Sequence, residues 1–200
     1  MNKTEVKKLL KRRDTLLKAY LDLGNDICYS DSSIFKSGRN DTAKILYDMD
    51  KGLLRFVKES AVGEWLLQIK GMTPDIAAGL IAYLDVRGKD CSAQFIKYCG
   101  VDNRNNPHNN NVSNIMDRLK DNFKSEPNSL YWKLNEDKFY NELKNSTSIE
   151  TARIRADRYM KKIFISHLFE EMYLEEYGVL PYRHNDADCI IIEPEVPYTK

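Results

Sequence analysis

Apolar residues recur three and four positions apart through most of the chain, a spacing that predicts helices rather than strands. Over residues 3–29 the stripe is Val6, Leu9, Leu10, Leu16, Leu17, Tyr20, Leu23 and Ile27, interrupted at Arg13, and it reads as one long amphipathic helix. Residues 30–40 are turn-rich and read as a loop. Asp41 or Thr42 then caps a second helix, whose Ile45, Leu46, Met49, Leu53, Phe56 and Val57 keep the spacing across Gly52. The two helices are expected to pair antiparallel. A short helix follows over 92–98, with Gly100 as its terminal glycine. Residues 102–111, DNRNNPHNNN, hold no apolar side chain and read as a surface loop. Helical spacing resumes over 112–123 and 129–143, and a last long helix runs over 149–177 to Gly178. The tail, CIIIEPEVPYTK, reads as extended, because two prolines exclude a helix there. The expectation is an all-α domain of about six or seven helices. Its parts are a leading helix pair (1–60), a central region (61–101), the Asn-rich loop (102–111), a helical region (112–178) and an extended tail (179–200).

The central region is the most informative. From Trp65 to Val86 the chain reads WLLQIKGMTPDIAAGLIAYLDV: two apolar helical faces around a short turn at Gly71, Met72, Thr73 and Pro74. This is the pattern of a helix-hairpin-helix. Gly71 is free to take a positive φ, and Pro74 suits the first turn of the second helix. Amides at a helix N-terminus form an anion site, which in this motif takes a phosphate of nucleic-acid backbone, through Gly71 to Asp75. The motif's usual second glycine is Thr73 here. The plainer reading is a packing corner that binds nothing.

Composition narrows the classes. The chain has 200 residues, 42% hydrophobic and 30% charged, as expected of a folded globular domain. Its 31 Lys and Arg against 30 Asp and Glu leave a net charge of +1, so a nucleic-acid surface must be a local patch. No signal peptide or membrane span is legible, so the expectation is a cytoplasmic protein with no membrane contact. Cys28, Cys91, Cys99 and Cys189 form no CxxC pair and read as reduced thiols.

Several charged clusters invite chemistry. The last helix is basic in its first half (Arg153, Arg155, Arg158, Lys161, Lys162) and acidic in its second (Glu170, Glu171, Glu175, Glu176), against the helix macrodipole. Arg155, Arg158 and Lys162 fall within a stripe about 60° wide, which reads either as a phosphate-contacting rail or as a face paired with neighbouring acids. The first helix carries Lys7, Lys8, Lys11, Arg12 and Arg13, and Lys8 and Arg12 head the second candidate phosphate surface. His184, Asp186 and Asp188 alternate in the tail and have the chemistry of metal ligands, but no second cluster supports them and a polar linker is the better reading. His167 sits among apolar neighbours and reads as a hydrogen-bonded core histidine. Ser113 has no identifiable base to activate it. The sequence calls for no cofactor and no metal.

The order of these segments resembles phage-encoded proteins similar to the C-terminal helix-hairpin-helix domain of insertion-sequence transposases. The resemblance rests on Val62, Gly63, Trp65 and Leu66, on IKGMTPDIAAGLIAYLDV, on Phe95, Tyr98 and Gly100, and on the basic-aromatic helix RADRYMKKIFISHLFEEMY. It implies association with double-stranded DNA. The RNase-H-like domain of those transposases has no counterpart in the chain, which argues against independent strand transfer. The leading expectation is therefore a non-enzymatic nucleic-acid-binding protein. The alternative is an anti-CRISPR-like inhibitor that contacts a host defence protein or nucleoprotein, with acidic patches imitating DNA. A degenerate recombinase using Ser113 is the third reading.

Overall fold

A computed structural model describes residues 1–29, 33–101, 108–145, 148–181 and 192–199, with side chains for all of these except 25–29 and 33–35. Eight helices make up the fold, with no strand among the described residues. They are α1 (Lys3–Tyr29), α2 (Ser33–Val57), α3 (Ala61–Gln68), α4 (Pro74–Tyr83), α5 (Ser92–Tyr98), α6 (Asn110–Ser125), α7 (Leu130–Lys144) and α8 (Ile149–Tyr177). The all-α expectation holds, with one helix more than its upper count.

A reciprocal capping box starts α1: the Asn2 N–H donates to the Glu5 carboxylate at 2.9 Å and the Glu5 N–H to the Asn2 side chain at 3.0 Å. Helix α1 pairs antiparallel with α2. Arg13 donates to Asp50 at 2.6 and 3.3 Å, Gly52 lies beneath Leu9, and the Arg39 guanidinium stacks over the Tyr20 ring at 4.7 Å. The pairing corrects the expected loop over 30–40, because α2 already begins at Ser33. Neither Asp41 nor Thr42 caps it; Thr42 lies inside the helix, its hydroxyl donating back to the Gly38 carbonyl at 2.8 Å. Ser, Gly and Asn are weak helix formers, and docking against α1 outweighs that local preference.

Helix α4 is the centre of the molecule. Its Ile76, Ala77, Ala78, Gly79, Leu80, Ile81 and Ala82 are all buried, as a helix must be when it is apolar all round. Helices α1, α2, α3 and α6 pack on it. A separate antiparallel pair, α7 and α8, closes the far side through Tyr131, Phe164 and His167. One continuous core, including Trp65, Phe95, Phe123, Tyr131, Phe164 and Phe169, draws side chains from all eight helices.

The Asn-rich segment divides in two. Residues 102–107 lie outside the description; Asn109 caps α6, its side chain accepting from the N–H groups of Asn111 and Val112, so the expected loop gives way to helix at Asn110. At the C-terminal end, residues 192–199 are not helical and lie against the body. The Trp65 indole N–H donates to the Val196 carbonyl at 2.9 Å, and the Tyr198 ring stacks on Trp65 with centroids 6.3 Å apart.

Candidate functional site

The segment expected to form a hairpin turn joins α3 to α4. Gly71 has φ +86°, and Pro74 occupies the first turn of α4. A side chain at Gly71 would also press on α6, since its Cβ would lie 3.2 Å from the Asn122 carbonyl and from the Phe123 ring. The Asn122 amide donates to the Gly71 carbonyl at 3.1 Å. Gly71, Met72, Thr73 and Pro74 are thus half-buried against a neighbouring helix.

The N-terminus of α4 carries its own anion. Asp75 is buried; the Thr73 hydroxyl donates to its Oδ1 at 2.7 Å, and Arg118 and Arg13 both reach its Oδ2, Arg13 at 3.3 Å. Burial pushes the Asp75 carboxyl upward, but Arg118, the Thr73 hydroxyl and Arg13 together hold it below its ordinary value. Asp50 and Asp14 complete the cluster, against Arg13 at 2.6 Å and Arg118 at 3.9 Å. Two guanidinium groups thus face three carboxylates, so the tip of the hairpin is not electropositive. The Thr73 hydroxyl and Asp75 are engaged inside the fold.

Most cations of α8 are engaged too. Arg155 pairs with Glu142 at 2.8 Å, a carboxylate shared with Lys138 at 2.9 Å. Arg153 stacks on the Phe139 ring at 4.7 Å, and Lys161 donates to Asp117 at 2.5 Å. Lys162 is half-buried. Of the stripe Arg155, Arg158 and Lys162, Arg155 is turned to Glu142 of α7, and Arg158 lines a cavity with Lys161. The acids of the second half are also in use. Glu170 accepts from the Tyr198 hydroxyl, Glu171 from the Thr199 hydroxyl and N–H, and Glu175 from the Ala61 N–H at the start of α3.

The exposed face of α1 is different. Lys8, Lys11, Arg12 and Lys18 all reach solvent, and none has an acidic partner among the described residues. They lie on the side opposite Val6 and Leu10, which are in the core. Of the acids on α1, Glu5 is occupied in the cap, Asp14 faces Arg118 at 3.9 Å, and Asp22 is exposed beyond Lys18. Lys7 leans away over the Tyr83 ring at 5.0 Å.

Of the remaining candidates, His167 is buried. Its Nε2–H donates to the Ile192 carbonyl at 2.8 Å, which leaves Nδ1 to accept from the Tyr131 hydroxyl at 3.0 Å. Cys91 and Cys99 are free thiols. His184, Asp186 and Asp188 lie outside the described residues. Arg118 was not singled out by sequence reasoning; nothing distinguishes it within the charged residues of α6, and only the docking of α6 beside α4 brings it to Asp75. Among the described residues no helix is long and apolar enough to cross a membrane. Compared with known protein families and with curated proteins, the chain matches none.

Proposed function

We propose that the chain is a non-enzymatic nucleic-acid-binding protein that contacts duplex phosphate backbone through the exposed face of α1. The observation that carries this reading is the set Lys8, Lys11, Arg12 and Lys18, four cations on one helix face without internal acidic partners. Placing like charges side by side costs energy that an external polyanion relieves, whereas the cations of the hairpin tip and of α8 are mostly neutralised within the fold. The resemblance of the hairpin segment to transposase DNA-binding regions supports the same class of partner. The contact belongs to α1 rather than to Gly71–Asp75.

Fluorescence anisotropy on random duplex DNA tests this. Backbone contact of this size gives non-specific binding, with Kd of roughly 10⁻⁴–10⁻⁶ M near physiological salt and steep salt dependence. Replacing Lys8, Lys11 and Arg12 together with Gln is expected to reduce the slope of log Kd against log salt by about 2.7, the loss of three phosphate contacts. Thr73→Ala is expected to leave that slope unchanged. No binding at low salt overturns the proposal, and loss of binding in the Thr73 variant alone returns the interface to the hairpin.

A further inference from the structure

Between α5, α6 and α8 lies a cavity of about 340 Å³, within the range of pockets that take small organic ligands. Two facing helical stripes build it. Ser113, Asp117 and Lys120 succeed one another by a turn along α6, and Ile154, Arg158 and Lys161 do so along α8. Cys99 and Val101, after α5, give it an apolar floor with Met116. Burial pushes the Cys99 thiol up to about 12, so it stays neutral.

The charges around this space are unevenly satisfied. Lys161 and Asp117 are tightly paired at 2.5 Å. Asp157 accepts from the Asn135 amide at 2.7 Å, and Lys120 approaches its second oxygen only at 3.5 Å. Asp121 lies 3.7 Å from the same ammonium, so Lys120 is shared between two carboxylates and held tightly by neither. Arg158 is exposed at the rim and has no acidic partner among the described residues. The Ser113 hydroxyl, half-buried in the lining, has no hydrogen-bond partner there either. The lining itself holds three cations against two carboxylates, with Asp121 beside Lys120 just outside it, so Arg158 is the cation left to an incoming anion.

We propose that this cavity binds a phosphomonoester carried on a compact, largely apolar body of about nucleoside size. Arg158 and Lys120 hold the phosphate, and the Ser113 hydroxyl adds a donor. A guanidinium fork matches phosphate oxygens, and an ammonium supplies a second point charge. The apolar floor and the volume favour an organic body over inorganic phosphate alone. This site is separate from the basic face of α1.

Isothermal titration of the full chain with adenosine 5′-monophosphate, adenosine, inorganic phosphate and a 5′-phosphorylated trinucleotide tests the proposal. The monophosphate is expected to bind with sub-millimolar Kd, adenosine and phosphate at least about tenfold more weakly. Arg158→Gln is expected to weaken the monophosphate about tenfold or more, as loss of a hydrogen bond between charged groups does. Arg158→Lys should recover part of that loss. Because Arg158 is exposed, the thermal midpoint should hardly move, and duplex binding through α1 should be unchanged, so the two readings fail separately. Trinucleotide binding as tight as the monophosphate assigns the site to strand ends, and weaker binding assigns it to free nucleotides. No binding of either at millimolar concentration overturns the proposal. So does equal binding of adenosine, or monophosphate affinity unaltered in Arg158→Gln.

Discussion

Asp75 shows how one side chain can serve the fold at a position that looks made for a ligand. It sits in the first turn of α4, where a carboxylate complements the helix dipole, and it gathers Thr73, Arg13 and Arg118 around it. Asp75→Asn leaves the largely buried Arg13 with Asp50 alone. The expected cost is about 2–3 kcal/mol, less than for a fully buried pair because Arg118 reaches solvent. The same residue sets a pH dependence. Its folded pKa lies below the ordinary value of 3.8, so its contribution is complete above that value and is lost as pH falls through the lower folded one. Urea unfolding between pH 2 and 7 should therefore show a shallower acid limb in Asp75→Asn than in the wild type. Gly63 makes a different demand. A Cβ there would lie 1.8 Å from the Val57 carbonyl oxygen, which is backbone and cannot yield. Gly63→Ala is expected to cost about 3 kcal/mol or more, read from the same unfolding curves.

At the scale of the element, α8 runs against its own macrodipole, and its neighbours explain why. The dipole contributes roughly 0.3–1 kcal/mol per well-placed charge. The tertiary pairings answer that: Arg155 with Glu142, Lys161 with Asp117, and Glu175 capping the first N–H of α3. Local capping is still conventional, with the Ser148 side chain accepting from the Thr151 N–H and Gly178 ending the helix at φ +73°. Glu171, near the end of α8, is fully buried; burial raises its carboxyl pKa, and the Thr199 hydroxyl and N–H only partly offset this. For an acid with a raised folded pKa, stability is greatest where it is protonated and falls as pH rises through the interval between the ordinary and the folded values. Glu171→Gln keeps an acceptor for Thr199 and removes the charge. Its stability relative to the wild type should therefore be more favourable at pH 8 than at pH 4, measured by chemical denaturation. A constant difference across that range would show that Glu171 is ionised in the fold at little cost.

For the whole molecule, residues 192–199 act as a strap over the core rather than as an appendage. Val196 and Tyr198 pack against Trp65, Ile192 is tied to His167, and Tyr198 and Thr199 are tied to Glu170 and Glu171. Ending the chain after Pro181 removes this cover. The expected loss is about 3 kcal/mol from the apolar area of two side chains, with a red shift of tryptophan emission as Trp65 meets water. Tyr198→Ala should give a smaller change in the same direction. If truncation leaves both stability and emission unaltered, the strap contributes nothing to the core.

The sequence by itself determined the helices. Three- and four-residue spacing, glycines where helices end and prolines where they begin located α1 and α5 to α8 within about two residues and the start of α4 at Pro74, because these signals act along a single stretch of chain. It also marked Gly71 as the hairpin's left-handed residue and His167 as a core histidine. The start of α2 was not legible, because residues 33–40 are poor helix formers stabilised by a partner helix. The tertiary structure alone decided which charges stay available. Arg155, Asp75 and Glu171 read as surface groups in a linear chain, yet each meets its partner across more than ten residues, through Glu142, Arg118 and Thr199. Arg13 interrupts the apolar stripe of α1, so its inward face was legible, but only packing showed that it meets Asp50 and Asp75 there while Lys8, Lys11 and Arg12 point to water. Ion pairs depend on distances of a few ångströms between elements, and hydrophobic periodicity fixes which face of a helix turns inward but not what it meets there.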